Sequence, residues 1–285
     1  MNRTWRVIDI INWAIEYFNN KNIDDARLCI ELLLCKVLEC DRIRLYMDFE
    51  KPLNDSELAL IKEYVKRKVN REPLQYIIGN AQFMQFTIGV NKNVLIPRPE
   101  TEQLVELVYR KYDPNENLKI LELGCGSGCI SIALGNYFVN STIYSVDYSK
   151  EAILIAEMNA KSNNVSNITF DVMDILSTFP NDKYDVIISN PPYISNEELL
   201  LCEPEVKDYE PLLALTDNGD GLNFYRRFNN IFKTILKDDG LFFLEMAFNQ
   251  YSILSDIFAN HYKIESYNDY NNYQRFLIGK KINNN

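Results

Sequence analysis

One histidine, His261, occurs in 285 residues. That scarcity excludes most imidazole chemistry. A Ser-His-Asp or Cys-His nucleophile needs a ring to take its proton, and His-rich metal centres need several. His261 falls in a late amphipathic stretch and reads as filler. The six cysteines are Cys29, Cys35, Cys40, Cys125, Cys129 and Cys202. None forms a Cys-x-x-Cys pair or has zinc-finger spacing to histidine, so they read as small buried hydrophobes and no metal is expected. No apolar run approaches the roughly 18 residues of a membrane span. The start, Met1-Asn2-Arg3-Thr4-Trp5, has no apolar region behind it, so no secretory signal is expected and the expected compartment is the cytoplasm. No internal repeat is visible.

Hydrophobic residues make up 47% of the chain, enough for a real core in one large or two smaller domains. Net charge is −10 and unevenly spread. The first 80 residues carry 13 Lys/Arg and 13 Asp/Glu, the remainder 17 and 27. An acidic balance argues against broad binding to a phosphate backbone, so direct nucleic-acid binding is not expected.

Residues 4–75 have helical periodicity. Thr4 is the expected cap of a helix with Ile8, Ile11, Ile15 and Phe18 on its apolar face. Asp24 is the expected cap of a second, with Ala26, Ile30, Leu33, Leu34 and Val37. A third begins near Asp55-Ser56-Glu57 and shows Leu58, Ile61, Val65 and Val69. Together they predict a small helical bundle. The basic residues Lys62, Lys66, Arg67, Lys68 and Arg71 are either a solvated face or a contact surface. Residues 76–96 read as a β-hairpin linker, with a strand over 83–90, a turn at Asn91-Lys92-Asn93 and a return strand at Val94-Leu95-Ile96. Pro97-Arg98-Pro99-Glu100-Thr101-Glu102 then opens a helix expected from Glu102 to Tyr112. Beyond residue 118, strands and helices alternate, which predicts an α/β doubly wound sheet over 97–285. Residues 195–219 read as irregular.

Two strand ends carry the chemistry. Tyr184-Asp185-Val186-Ile187-Ile188-Ser189 reads as a buried parallel strand stopping at Asn190-Pro191-Pro192-Tyr193. Two prolines fix φ twice and make a rigid tip where open α/β sheets bind ligands. The tip offers the Asn190 amide oxygen, the Pro191 carbonyl and the Tyr193 ring: two acceptors and a flat face, suited to a planar –NH2 group. The other end is Glu122-Leu123-Gly124-Cys125-Gly126-Ser127-Gly128. Gly124 and Gly126 allow close backbone approach and Gly128 allows helix packing. Asp147, about 20 residues on, is placed to accept ribose hydroxyls. Glu122 offers a carboxylate to an ammonium group, Asp174 an acceptor to an adenine amine, and Ile175 a cover for the ring. A ligand with ribose, adenine and an amino-acid tail fits: S-adenosylmethionine.

Glu122-x-Gly124-x-Gly126-x-Gly128 with Asp147 resembles the Rossmann-like S-adenosylmethionine methyltransferases. That resemblance implies a seven-stranded sheet ending in an antiparallel strand, here Phe276 to Gly279. Asn190-Pro191-Pro192-Tyr193 resembles the signature of members that methylate planar nitrogen: adenine, cytosine or the glutamine side-chain amide. Further blocks are similar to the release-factor glutamine methyltransferases, the PrmC/HemK family: Arg71-Glu72-Pro73-Leu74-Gln75-Tyr76-Ile77-Ile78-Gly79, Phe83, Leu95 through Glu102, Tyr209-Glu210-Pro211, Asp220-Gly221-Leu222 with Tyr225, and Asp269 with Arg275. One departure is Leu244-Glu245-Met246-Ala247-Phe248, where the family usually shows Glu-Ile-Gly, and the turn there lacks its glycine.

The resemblance implies an enzyme that methylates the glutamine amide of a release factor's Gly-Gly-Gln motif. S-adenosylmethionine is the implied methyl donor and no metal is implied. Residues 1–75 are then the release-factor recognition domain, and a monomer is expected. Asn190, Pro191 and Tyr193 become the catalytic residues, with Pro192 added for substrate binding. The cofactor set is Glu122, Gly124, Cys125, Gly126, Ser127, Gly128, Asp147, Asp174, Ile175 and Asn190. The alternative is an adenine methyltransferase acting on RNA or DNA, which calls for an extended basic face and aromatic stacking on a flipped base.

Overall fold

Val7, Ile10, Ile11, Ala14 and Phe18 turn one face of α1 (Val7–Asn19) inward. The buried face is rotated from the expected one: Ile8 and Ile15 are only half-buried. Arg6, not Thr4, is the N-cap; the Asp9 carboxylate accepts from its backbone N–H at 3.0 Å and from its guanidinium at 2.9 Å. The computed structural model describes residues 4–282. They form two compact units: residues up to Gly79 with Pro204–Tyr209, and Asn80–Glu203 with Glu210 onward.

The first unit continues with α2 (Ala26–Leu38), α3 (Arg42–Met47), α4 (Asp55–Val69) and α5 (Leu74–Ile78). Asp25 rather than Asp24 caps α2, in the left-handed region and without a side-chain bond. Glu31 of α2 is fully buried, and accepts from Arg27 at 2.8 Å, Arg42 at 2.6 Å and Tyr46 at 2.8 Å. That ties α2 to the short α3, which the apolar pattern did not reveal. A capping box of Asn54 and Glu57 starts α4, a feature worth about 1 kcal/mol. The basic residues of α4 fit neither reading as a set. Arg67 pairs with Glu72, Lys68 is buried, and Lys68 and Arg71 each reach Glu205 at 3.4 Å. Tyr209 donates to the Asn70 carbonyl at 2.5 Å. These bonds explain why Pro204–Tyr209, from the stretch expected to be irregular, belongs to this unit.

The second unit opens with β1 (Asn80–Phe83) and β2 (Phe86–Gly89), an antiparallel hairpin. Its turn is Met84-Gln85, not 91–93, and residues 76–78 are helical. Met84 has φ +50 and its N–H donates to Glu102 at 2.6 Å. A carboxylate thus holds a turn that no glycine or asparagine announces. α6 (Pro99–Tyr109) starts earlier than expected, with proline in its first turn and Arg98 as N-cap; Thr101 lies inside the helix.

β3 (Lys119–Leu123), α7 (Cys129–Tyr137), β4 (Thr142–Asp147), α8 (Lys150–Ser162), β5 (Ile168–Val172) and β6 (Tyr184–Ser189) follow. Three one-turn helices, α9 (Asn196–Leu199), α10 (Pro204–Lys207, in the first unit) and α11 (Leu212–Leu215), precede α12 (Asn223–Ile235). β7 (Leu236–Glu245), α13 (Tyr251–Phe258), β8 (Tyr262–Asn268) and β9 (Gln274–Lys281) close the unit. The seven-stranded sheet runs β5-β4-β3-β6-β7-β9-β8, with β9 antiparallel to both neighbours.

Tyr225, Phe228, Ile231, Phe232 and Ile235 form the inner face of α12. Burial of each large side chain is worth about 1.5–3 kcal/mol. Phe242 of β7 lies 5.1 Å from Phe232 and 5.2 Å from Phe258 between ring centroids. Its partner across the strands is Gly279, where a Cβ would come within 2.1 Å of the Phe242 ring. Strand order reverses between β3 and β6, so the crevice at their carboxyl ends is the topological switch point.

Candidate active site

A cavity of about 480 Å³ occupies that crevice, within the range of small-molecule sites. The glycine loop after β3 lines one side and Asn190-Pro191-Pro192 after β6 another. Gly124, Gly126 and Gly128 have φ of +77, +53 and +78. A Cβ on Gly124 or Gly126 would meet no protein atom within 4 Å, whereas one on Gly128 would sit 2.9 Å from Ala156 Cβ of α8. The first two leave a bare cradle and the third allows helix packing. Asn159 of α8 secures the loop from behind. Its amide donates to the Ser127 and Gly89 carbonyls at 2.9 and 3.0 Å and accepts from the Gly89 N–H at 2.8 Å.

Asp147 ends β4 and accepts from Gly126 N–H at 2.8 Å and Ser149 N–H at 2.9 Å. A carboxylate has about four acceptor sites, so capacity remains for hydroxyl donors. Burial raises its pKa. Asp174 spends one oxygen on the Leu176 N–H at 3.0 Å, and Ile175 beside it is buried; both line the cavity.

Glu122 is 1% exposed. Its Oε2 accepts from Ser131 N–H at 3.2 Å and from the Ser131 and Ser145 hydroxyls. Its Oε1 is buried with no partner, although the residue lines the cavity. Burial pushes this carboxyl up to about 8. An orphaned buried oxygen beside a glycine cradle fits a ligand that brings its own cation. Cys125 and Ser127, both buried, complete the loop's lining.

At the tip, Ser189 anchors β6 to β3 by donating to the Leu123 carbonyl at 2.6 Å. Asn190 Nδ2 donates to Thr101 Oγ1 at 3.1 Å, and its Oδ1 has no hydrogen bond to the described residues. Tyr193 is placed differently from the rest of the tetrapeptide. It does not line the cavity; its hydroxyl donates to Glu245 at 3.1 Å and its ring packs on the main core. The Tyr193 carbonyl accepts from Gln250 Nε2 at 3.0 Å, and a Cβ on Gly221 would strike it at 2.2 Å. Arg98 and the Ile96 N–H grip buried Glu210, which fixes the chain just before the cavity-lining residues Pro211, Leu213 and Ala214.

Thr101, Asn159, Glu245 and Gln250 received no site role from the sequence. A signal existed only for Glu245, an acid closing an apolar strand beside the tip strand.

Residues 9–79 match the PrmC N-terminal domain and residues 114–274 a methyltransferase domain. A release factor glutamine methyltransferase from Geobacter sulfurreducens is 35% identical over 90% of this chain and 89% of its own length. The chain belongs to the release factor glutamine methyltransferase family. Other relatives of that name come from Thermodesulfovibrio yellowstonii (41% identical, covering 79% of this chain and 81% of that one) and Bacillus subtilis (34% identical, 90% of each). A tRNA (uracil-5-)-methyltransferase family also matches, over residues 51–176, under half of the chain. The crystal structure of a methyltransferase from Pyrococcus furiosus shares the fold, with a TM-score of 0.51, 16% identity, and coverage of 70% of this chain and 91% of that one. The family's usual glycine after Glu-Ile is Ala247 here. Ala247 is not among the residues with positive φ, and its N–H donates to Gln250 Oε1 at 3.0 Å. The turn therefore tolerates a Cβ.

Proposed function

We propose that this chain transfers a methyl group from S-adenosylmethionine to the side-chain amide nitrogen of the glutamine in a release factor's Gly-Gly-Gln motif, working as a cytoplasmic monomer. The observation that carries the reading is the Asn190 amide lining the cavity. Its nitrogen is committed to Thr101 and its oxygen is left for a donor.

Glu122 Oε1 would take the ammonium of the amino-acid tail, Asp147 the ribose hydroxyls, Asp174 the adenine amine and Ile175 the ring face. The Gly124 and Gly126 backbone would lie against the ligand. When bound, S-adenosylmethionine supplies a methyl on positive sulfur, which keeps the bonding pair as the methyl leaves.

An amide nitrogen is a poor nucleophile because its lone pair is delocalised, so the protein's contribution is placement. Asn190 Oδ1 and the Pro191 carbonyl would each accept one N–H of the glutamine. Two fixed acceptors turn the nitrogen's lone pair toward the methyl and favour the positive charge that builds on nitrogen as the new C–N bond forms. One proton then leaves the nitrogen for solvent. Tyr193 would serve by holding the tip through its hydroxyl and carbonyl, with Pro192 keeping the backbone rigid.

The acidic balance beyond residue 80, with 17 Lys/Arg against 27 Asp/Glu, disfavours the adenine reading. The test is transfer of labelled methyl to a purified release factor beside the same factor with its motif glutamine changed to alanine. Label on the first alone supports the proposal. Label on neither, with label on RNA or DNA, would overturn it.

A further inference from the structure

Glu245 closes β7, the neighbour of the tip strand, and is 1% exposed. A buried carboxylate needs donors, and this one has a donor on each oxygen. Thr101 Oγ1 donates to Oε2 at 2.8 Å and the Tyr193 hydroxyl to Oε1 at 3.1 Å. With Glu245 ionised, the only proton on the Thr101 hydroxyl is committed, and its oxygen has lone pairs alone to offer elsewhere. Asn190 meets that oxygen with Nδ2, at 3.1 Å. Rotating the amide by half a turn would set oxygen against oxygen.

We infer that Glu245, acting through Thr101, is a positioning residue that locks the Asn190 amide with its oxygen toward the substrate. The polarity of the site is set by a chain of three groups. A carboxylate takes the threonine proton, the threonine oxygen then takes the asparagine N–H, and the asparagine oxygen is left to accept. The site is thereby matched to a substrate group that donates, such as an –NH2, and mismatched to a lone acceptor. Tyr225 and Arg275 hold the strand end in place by donating to the Glu245 and Met246 carbonyls, at 2.7 and 3.4 Å. This inference rests on the proposed transfer to an amide nitrogen.

Two readouts separate its failure from failure of that reading. The first needs no turnover: the side-chain 15NH2 signals of Asn190, assigned by their loss in Asn190→Ala. Slow solvent exchange of one amide proton is expected in the wild type and in Thr101→Ser, and fast exchange of both in Thr101→Val. Fast exchange in the wild type, or unchanged slow exchange in Thr101→Val, would overturn the lock whatever the enzyme methylates.

The second readout is a double-mutant cycle on kcat for methyl transfer to release factor. Thr101→Val should lower kcat on the order of 10- to 100-fold, because it frees the Asn190 amide to misplace the substrate. Thr101→Ser, which keeps the hydroxyl, should restore most of the rate. In an Asn190→Ala background Thr101→Val should cost less than about twofold more, since residues acting through one another are not additive. An equal loss in both backgrounds would make Thr101 and Glu245 a structural strut and overturn the inference. The expected exchange pattern with no transfer to release factor by wild type would leave the lock standing and overturn the proposed substrate.

Discussion

The tip strand β6 lies between β3 and β7, and each neighbour carries a buried acid, Glu122 and Glu245. The two are equally dry, each 1% exposed. They differ in completeness. Glu245 has a donor on each oxygen, while Glu122 crowds its donors onto Oε2 and leaves Oε1 bare. Burial raises both, Glu122 to about 8 and Glu245 to about 7. The lesson is that burial alone does not mark a ligand-binding acid. The hydrogen-bonding shell separates the two: Glu122 keeps one oxygen open for the proposed ligand ammonium, and both oxygens of Glu245 are already bonded within the protein.

The largest effect that would break this division is at the tip itself. Asn190→Ala should lower kcat on the order of 100- to 1,000-fold, the usual size for removing one preorganised polar group. Cofactor affinity, measured by calorimetry, should fall far less than kcat, because Asn190 is one of ten expected cofactor contacts and the charged ones lie elsewhere, on Glu122, Asp147 and Asp174. A variant that kept wild-type turnover would remove Asn190 from the mechanism.

On the other side of the comparison, Asp147→Ala should weaken cofactor binding about tenfold or more, by loss of charged hydrogen bonds. Because Asp147 also holds the Gly126 N–H, the loop should loosen as well. An unchanged Kd would refute the ribose contact.

The pH dependence of binding sharpens the contrast further. Glu122 is raised in the free protein, so its favourable protonated form is fully present at low pH and is lost as pH rises through about 8. A ligand cation at Oε1 favours the ionised form. Cofactor binding at pH 7 should therefore release a proton and tighten as pH rises toward 8. Calorimetry in buffers of different ionisation enthalpy reads the release directly, and Glu122→Gln should abolish it. Proton uptake in the wild type would contradict the pairing.

Two smaller effects concern the scaffold. Gly279→Ala should destabilise by about 1–3 kcal/mol, as overpacking against Phe242 does, and a thermal melt would show it. Ala247→Gly should shift stability by less than about 1 kcal/mol, and downward, since the position needs no positive φ. A gain in stability there would mean the turn is strained by its Cβ.

Much of this was legible in the sequence because it is written locally. The strand over 184–189, the glycines after Glu122 and the two prolines after Asn190 each dictate their own backbone. What the sequence hid is settled by contacts between distant segments. The Met84 turn is held by Glu102, eighteen residues away. Pro204–Tyr209 is drawn to the first unit by Lys68 and Arg71. Thr101 and Glu245, 144 residues apart, meet only once α6 packs beside β7. Tyr193 offered a ring by its side-chain type, but its hydroxyl and carbonyl are both drawn away from the cavity by partners far along the chain.

The most direct test of the account sets Glu122→Gln beside Glu245→Gln and reads cofactor Kd and saturating kcat for each. Glu122→Gln should raise Kd about tenfold or more with little change in kcat, and Glu245→Gln should do the reverse. If both substitutions moved the same parameter, the two buried acids would not divide binding from placement, and the central claim would fall.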